Sequence, residues 1–179
     1  MPLAAAHVLI PLFLASVLRD YTRWGRKHIS KGVVLFIGIS GLLPDLDVPV
    51  FLLLSQFSQV SMENIHRTVT HSLIVPLAAL AAFFLLRAIR PGNNAYLLGF
   101  AAGSLSHIIL DGLMKGGVPL FFPLSSQSYG LNLISLLVPG TGSSAMYEFT
   151  LLAGFDAALL TGWLVYEFHK KRIKKLLTS

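Results

Sequence analysis

Four histidines and five acids stand within or beside apolar stretches of this sequence: His7, Asp45, Asp47, His66, His71, His107, Asp111, Glu148 and Asp156. An ionisable side chain in an apolar run is expensive and is a functional group by default. Types and spacing here point to metal chemistry. His107 and Asp111 are four residues apart in a helical run, so they share one face and can hold one ion. In His66-Arg67-Thr68-Val69-Thr70-His71-Ser72 two imidazoles bracket an arginine and two hydroxyls. Pro44-Asp45-Leu46-Asp47 interrupts an apolar run where two carboxylates enter. Irregular backbone at membrane depth is tolerated only beside protein or a wet cavity. The chain has no cysteine, which removes thiolate ligands, disulfides and cysteine nucleophiles. Imidazole and carboxylate donors suit Zn²⁺ or Mn²⁺ better than magnesium. A serine hydrolase is disfavoured, because no Gly-x-Ser-x-Gly elbow occurs. Gly140-Thr141-Gly142-Ser143-Ser144 reads as a flexible turn.

Several of these residues carry two readings. For His7 a helix–helix hydrogen bond stands beside a ligand role. Asp47 is either a general base or the cap of a half-helix starting at Val48. Arg67 is either a clamp for an anionic oxygen or a salt-bridge partner of Asp45 or Asp111. Glu148 is a site group or an interfacial, helix-start charge. Asp156 shares a face with Glu148, and a bond to a neighbouring hydroxyl is its other reading. Tyr96, Tyr147, Trp163 and Tyr166 read as interface-belt aromatics.

The elements that must position these groups are membrane helices. The 179 residues are 54% hydrophobic and 12% charged, against about 25% charged for an ordinary soluble domain. Mean hydropathy is +0.70. The expectation is an all-α polytopic membrane helix bundle, one integral membrane domain over 1–179, with about five spans and some broken or re-entrant pieces. The apolar runs are Pro2 to Leu18, Gly32 to Phe57 with its break at 44–47, Leu73 to Ile89, Ala95 to Met114 and Tyr147 to Phe168. The first reads as a span rather than a removable signal. Two short apolar pieces, Pro119 to Leu124 and Leu131 to Val138, cannot span.

The net charge is +6, and all but two of the basic residues fall in three clusters: 19–31, 87–90 and 170–175. Each cluster follows an apolar run, which the positive-inside rule explains better than nucleic-acid binding does. The expected topology has the N-terminus outside and the C-terminus, with its basic 169–179 tail, in the cytoplasm. At about 1.5 Å per helical residue, His7 lies about 18 Å from Arg19, Asp45 about 21 Å from Lys31 and His107 about 26 Å from Arg90. The polar residues thus converge on one layer in the outer half of the bilayer.

Pro44-Asp45-Leu46-Asp47, the His66 to Ser72 segment, Ser106-His107-Ile108-Ile109-Leu110-Asp111 and Pro119-Leu120-Phe121-Phe122-Pro123 together resemble the YdjM-type family of predicted inner-membrane, metal-dependent hydrolases. The resemblance spans roughly residues 1–125. That family is described as distantly similar to zinc-dependent phospholipase C. It implies that Asp45, His66, His71, His107 and Asp111 form the metal and catalytic set, with His7 as the early histidine of the site.

The function expected is metal-assisted hydrolysis at the outer membrane face. His66, His71, His107, Asp111 and Asp45, with His7, would hold one or two ions. Asp47, or Asp45 if it is not a ligand, would be the general base. Arg67 would clamp an anionic oxygen, which favours a phosphoester of a lipid or lipid-linked substrate over an acyl ester or peptide. Phe121 and Phe122, in the lip 119–123, would admit an acyl or isoprenyl chain. Two rival classes remain: a non-catalytic metal-binding protein or ion transporter, and a scaffold whose polar set only ties helices together.

Overall fold

The computed structural model describes residues 4–59, 61–62, 65–90, 94–114, 116–133 and 145–170. Among them are α-helices α1 (Ala4–Tyr21), α2 (Arg23–His28), α3 (Lys31–Ser40), α4 (Asp47–Leu54), α5 (Ile74–Ile89), α6 (Ala95–Gly112) and α7 (Ala145–His169). Short 3-10 turns at Leu43–Leu46 and Val69–His71 precede α4 and α5. The only pairing outside helices among the described residues is one antiparallel bridge, Val118 to Tyr129. The all-helical expectation therefore holds.

Local chemistry sets the helix limits on the basic side. Thr22 accepts the Gly25 N–H at 2.8 Å and starts α2, an element the apolar pattern did not announce. Ser30 accepts the Val33 N–H at 3.2 Å and starts α3. Arg19 donates to the Ile29 carbonyl, and Arg26 to that of Asp20. The Tyr166 hydroxyl donates to Asp20 at 2.6 Å, which pins the far end of α7 to α1. Ring contact of Phe13 with Tyr166 continues this seam. The helices α1 and α7 run in the same direction, since Tyr166 meets Phe13 and Asp20 while Asp156 lies beside Ala6.

The bundle is centred on α1, α3 and α6. Leu12, Ala15, Ile29, Val33, Val34 and Ile37 form its apolar core. Gly103 of α6 lies so close to α3 that a Cβ there would overlap the Ile37 carbonyl and Ser40. A Cβ on Gly41 would run into the His7 carbonyl. Small residues at these crossings let backbones approach in a membrane bundle. By contrast α7 is mostly outward-facing.

The break expected at 44–47 is real: α3 and the Leu43–Leu54 stretch meet at 52°. Pro44 enters the 3-10 turn near its start, where its missing N–H is not needed. Three helices (α1, α6 and α7) are long and apolar enough to cross a membrane, and the bent α3–α4 pair makes a fourth. The fifth expected span, α5, has 16 residues. It covers about 24 Å, short of the roughly 30 Å hydrocarbon core. It begins at Ile74, one residue inside the expected run Leu73 to Ile89, and the Leu73 N–H goes to the Leu120 carbonyl at 3.0 Å. Of the two short pieces, Pro119 to Leu124 forms turns. Most of Leu131 to Val138, the glycine-rich turn 140–144 and the tail 171–179 lie outside the described residues.

A Gly103→Leu substitution should lower the thermal unfolding temperature in detergent, at a cost of about 1–3 kcal/mol. Gly154→Leu, where nothing lies within 4 Å of an added Cβ, should leave that temperature unchanged in the same scan.

Candidate metal centre

One end of the bundle gathers the start of α1, the break after α3, the turn before α5 and the end of α6. These four places carry His7, Asp45 with Asp47, His66 with His71, and His107 with Asp111. The opposite end carries the basic 19–31 segment. His7, His71, His107 and Asp111 are 0–1% exposed. Asp45 is the most open acid of the group, its side chain 24% exposed.

Two imidazole nitrogens each face the same two carboxylates. His71 Nε2 lies 3.2 Å from His107 Nε2, 3.3 Å from Asp45 Oδ1 and 3.6 Å from Asp111 Oδ2. His107 Nε2 is 3.5 Å from Asp45 Oδ1 and 3.7 Å from Asp111 Oδ2. In a tetrahedral zinc site with N and O ligands, bonds of about 2.0–2.2 Å put ligand atoms about 3.3–3.6 Å apart. The separations that involve His71 and His107, 3.2–3.7 Å, are close to that geometry. Two further groups of potential ligands share these residues: His7, Asp45 and His107, and Asp45, His66 and His71.

The hydrogen bonds around the cluster leave its imidazole lone pairs pointing inward. His107 Nδ1 donates to the Gly41 carbonyl at 2.7 Å. His66 Nδ1 donates to Asp47 Oδ1 at 2.9 Å. The Thr70 hydroxyl donates to Asp47 Oδ2 at 2.8 Å and so accepts from His71 Nδ1 at 3.0 Å. Each of these rings then presents a bare Nε2. Two such lone pairs 3.2 Å apart, as in His71 and His107, need a cation or a proton between them. The protein's field favours that charge. Burial disfavours a cation on His71, which lies outside the spanning helices. The nearby carboxylates of Asp45 and Asp47 outweigh it and push the imidazole up to about 9. His66 Nε2, Asp45 Oδ1 and Asp111 Oδ1 are buried without a hydrogen-bond partner among the described residues. Orphaned donors and acceptors of this kind are what a bound ion satisfies.

Asp47 has a different place from the one expected. It opens α4, but its oxygens do not cap that helix. They hold His66, Thr70, the Arg67 N–H at 3.3 Å and, at 3.4 Å, His71 Nδ1. A carboxylate behind two imidazoles fixes ring orientation and tautomer. The half-helix cap reading therefore fails, because competing donors take both oxygens.

Arg67 adopts φ 57, the left-handed region that a long side chain rarely enters. This conformation costs about 1–3 kcal/mol. It turns the Arg67 N–H to Asp47 while the guanidinium reaches the Gly117 carbonyl at 3.1 Å and Asp111 Oδ2 at 3.5 Å. Among its two candidate salt bridges, then, the one to Asp111 forms. Gly116 and Gly117 have φ of 91 and 61, and Arg67 Nη1 lies against Gly116. A cleft of about 560 Å³ opens beside the cluster, lined by His66, Arg67, Thr68, Pro119, Phe122, Ser126 and Ser128. Phe122 is thus at the lip as expected. Phe121 is not among the lining residues and packs edge-on against Tyr129. Ser126 and Ser128, absent from the sequence reading, join the cleft because the Val118–Tyr129 bridge folds that loop back. Asp156 is buried on α7 near His7. The side chain of Glu148 lies outside the described residues.

Fold and site define a multi-pass membrane protein with a buried His/Asp cluster of metal-ligand geometry at one end of its bundle. The model of the YdjM inner membrane protein family matches residues 1–172. The inner membrane protein YdjM of Escherichia coli (strain K12) is 38% identical over 163 residues, which cover 87% of this chain and 73% of that protein. The same figures hold for YdjM of Shigella flexneri. The chain belongs to the YdjM inner membrane protein family and is a multi-pass inner-membrane protein. No solved structure matches it.

Purified wild-type protein should carry about one zinc or manganese ion per chain by elemental analysis. His71→Ala with His107→Ala should lose it. Asp47→Ala, which removes no facing ligand atom, should still weaken metal affinity about 10- to 100-fold.

Proposed function

We propose that this protein is a metal-dependent hydrolase of a lipid or lipid-linked phosphoester, acting at the outer face of the inner membrane. The observation that carries the reading is the four-atom cluster of His71, His107, Asp45 and Asp111 next to a cleft floored by Arg67. His71, His107, Asp111 and Asp45 would hold the ion, with His7 and His66 at its edge. When bound, a divalent ion supplies an electrophile that polarises the scissile ester and makes a water acidic. The chain's own groups do the rest. Asp47 keeps two imidazoles in the ligating tautomer. Asp45 turns only Oδ1 to the two imidazoles and is more exposed than Asp47; its other oxygen would take a proton from an attacking water. Arg67 meets the phosphoryl oxygens with N–H donors left over from its contacts to Gly117 and Asp111. The serine hydroxyls of 126 and 128 add neutral donors on the facing wall. Phe122 and Pro119 give the cleft an apolar side that suits a chain entering from the outer leaflet.

Charge supports the orientation. The cluster sits at the bundle end away from the basic 19–31 loop, which the positive-inside rule puts in the cytoplasm. With the N-terminus outside and the C-terminus in the cytoplasm, the cleft faces outward.

Zinc- or manganese-loaded protein in mixed micelles should release phosphate or a phosphorylated headgroup from phosphatidic acid, phospholipids or isoprenyl phosphates. Arg67→Gln should lower kcat/KM about 10²-fold or more, and Arg67→Lys should recover only part, since a point charge replaces a planar fork. A metal-loaded protein that hydrolyses none of these esters overturns the reading. It would leave a non-catalytic metal-binding membrane protein, for which metal flux into vesicles is the next measurement.

A further inference from the structure

Three of the four imidazoles in the cluster have an Nδ1 partner: Asp47 for His66, Thr70 with Asp47 for His71, and the Gly41 carbonyl for His107. His7 does not. Its ring stacks on His107 with centroids 3.8 Å apart, and its Nε2 faces Asp111 Oδ1 at 3.5 Å. Its Nδ1 is buried with no hydrogen-bond partner among the described residues. Across the α1–α7 seam stands a matching orphan. Asp156 is 8% exposed on a helix that otherwise faces mostly outward. Both of its carboxylate oxygens lack a hydrogen-bond partner among the described residues. The polar groups that act on it are the Ala6 backbone N–H and the His7 ring. A carboxylate and an imidazole N–H buried in one apolar seam each carry an unmet demand that the other can satisfy. The seam also has slack. A crevice of about 210 Å³ opens along the same α1–α7 seam, with Leu9 and Phe13 on one side and Phe155 and Leu159 on the other.

We propose that Asp156 is the Nδ1 acceptor of His7, reached by a side-chain rotation or through one water, and that it holds His7 with Nε2 toward the metal centre. Asp156 is then a positioning residue, and α7 belongs to the site. The inference rests on the metal-centre reading above. The competing role is purely structural: a carboxylate on the Ala6 N–H, tying α7 to the free first turn of α1.

The test is a double-mutant cycle on metal affinity, with a second readout that needs no metal. Zinc affinity by chelator competition is measured for wild type, Asp156→Ala and Asp156→Asn, each with His7 intact and with His7→Ala. Asp156→Ala should weaken zinc about 10- to 100-fold when His7 is present and add nothing when it is absent. Asp156→Asn, which keeps an acceptor oxygen and nearly the same shape, should lose less and covers the case in which the alanine variant does not fold. The Co²⁺ absorption bands should shift in Asp156→Ala and not in a Gly154→Leu control. In metal-free protein, ¹⁵N shifts of the His7 ring should report the Nδ1–H form in wild type and a shift toward Nε2–H in Asp156→Ala. Equal affinity losses in both His7 backgrounds, or no loss with unchanged ¹⁵N shifts, would overturn the proposal in favour of the structural tie. If wild type takes up no metal while the ¹⁵N pattern behaves as expected, the metal-centre reading fails and the Asp156–His7 pairing stands.

Discussion

Everything at the cluster end of this bundle answers to one electrostatic constraint. Asp45, Asp47 and Asp111 crowd together with one guanidinium, that of Arg67, and with imidazoles that are neutral as ligands. Two negative charges are left over in a place where Asp111 is fully buried and Asp47 nearly so. A low-dielectric interior does not hold such an excess without a counter-charge. Protons on the imidazoles supply one, and a divalent cation supplies the whole of it in a single group. The direction of the His71 shift shows the same demand from the side of the ring.

Meeting that constraint dictates the local backbone. His107 can donate to the Gly41 carbonyl only because α3 and α6 touch through Gly103 and Ser40. Gly41 can sit there only because it lacks a Cβ, for which the His7 carbonyl leaves no space. The α3–α4 bend delivers Asp45 into the cluster and Asp47 behind it. The left-handed turn at Arg67 lets one residue use its main-chain N–H on Asp47 and its side chain on Asp111. A backbone this irregular is tolerated in a membrane bundle because these groups lie against protein or line the cleft.

Much of this was legible in the residues. Apolar runs placed the helices, the Pro44 to Asp47 break fell where carboxylates enter, and the i, i+4 pair His107–Asp111 shares its face as expected. Other features were not, for reasons that are physical. A carboxylate that ligates and one that orients ligands are the same residue type, so Asp45 and Asp47 part only by which donors surround them. Ser126 and Ser128 reach the cleft through a loop pairing that involves no periodicity. Helix α2 depends on the Thr22 cap, a single hydroxyl, rather than on an apolar stripe. The Leu73–Leu120 backbone bond ties the start of α5 to a partner 47 residues away, which no local pattern records.

The cleft's chemistry follows from what Arg67 has left after its structural duties. Its guanidinium donates to Gly117 and Asp111, while its Nε stays buried with no partner among the described residues. A guanidinium has only donors to offer. The wall formed by Arg67, Ser126 and Ser128 is therefore rich in groups that can donate, and the cleft lining holds no carboxylate. Such a wall rewards a ligand with several acceptor oxygens on one centre and gives little to an amide, which brings a donor of its own. Under the hydrolase reading this separates a phosphoester from a peptide more sharply than the metal does, because an ion of this kind activates water toward either. The strain at Arg67 fits the same logic: a rare backbone conformation persists where it fixes a group for function, and here it fixes the cation that faces the cleft.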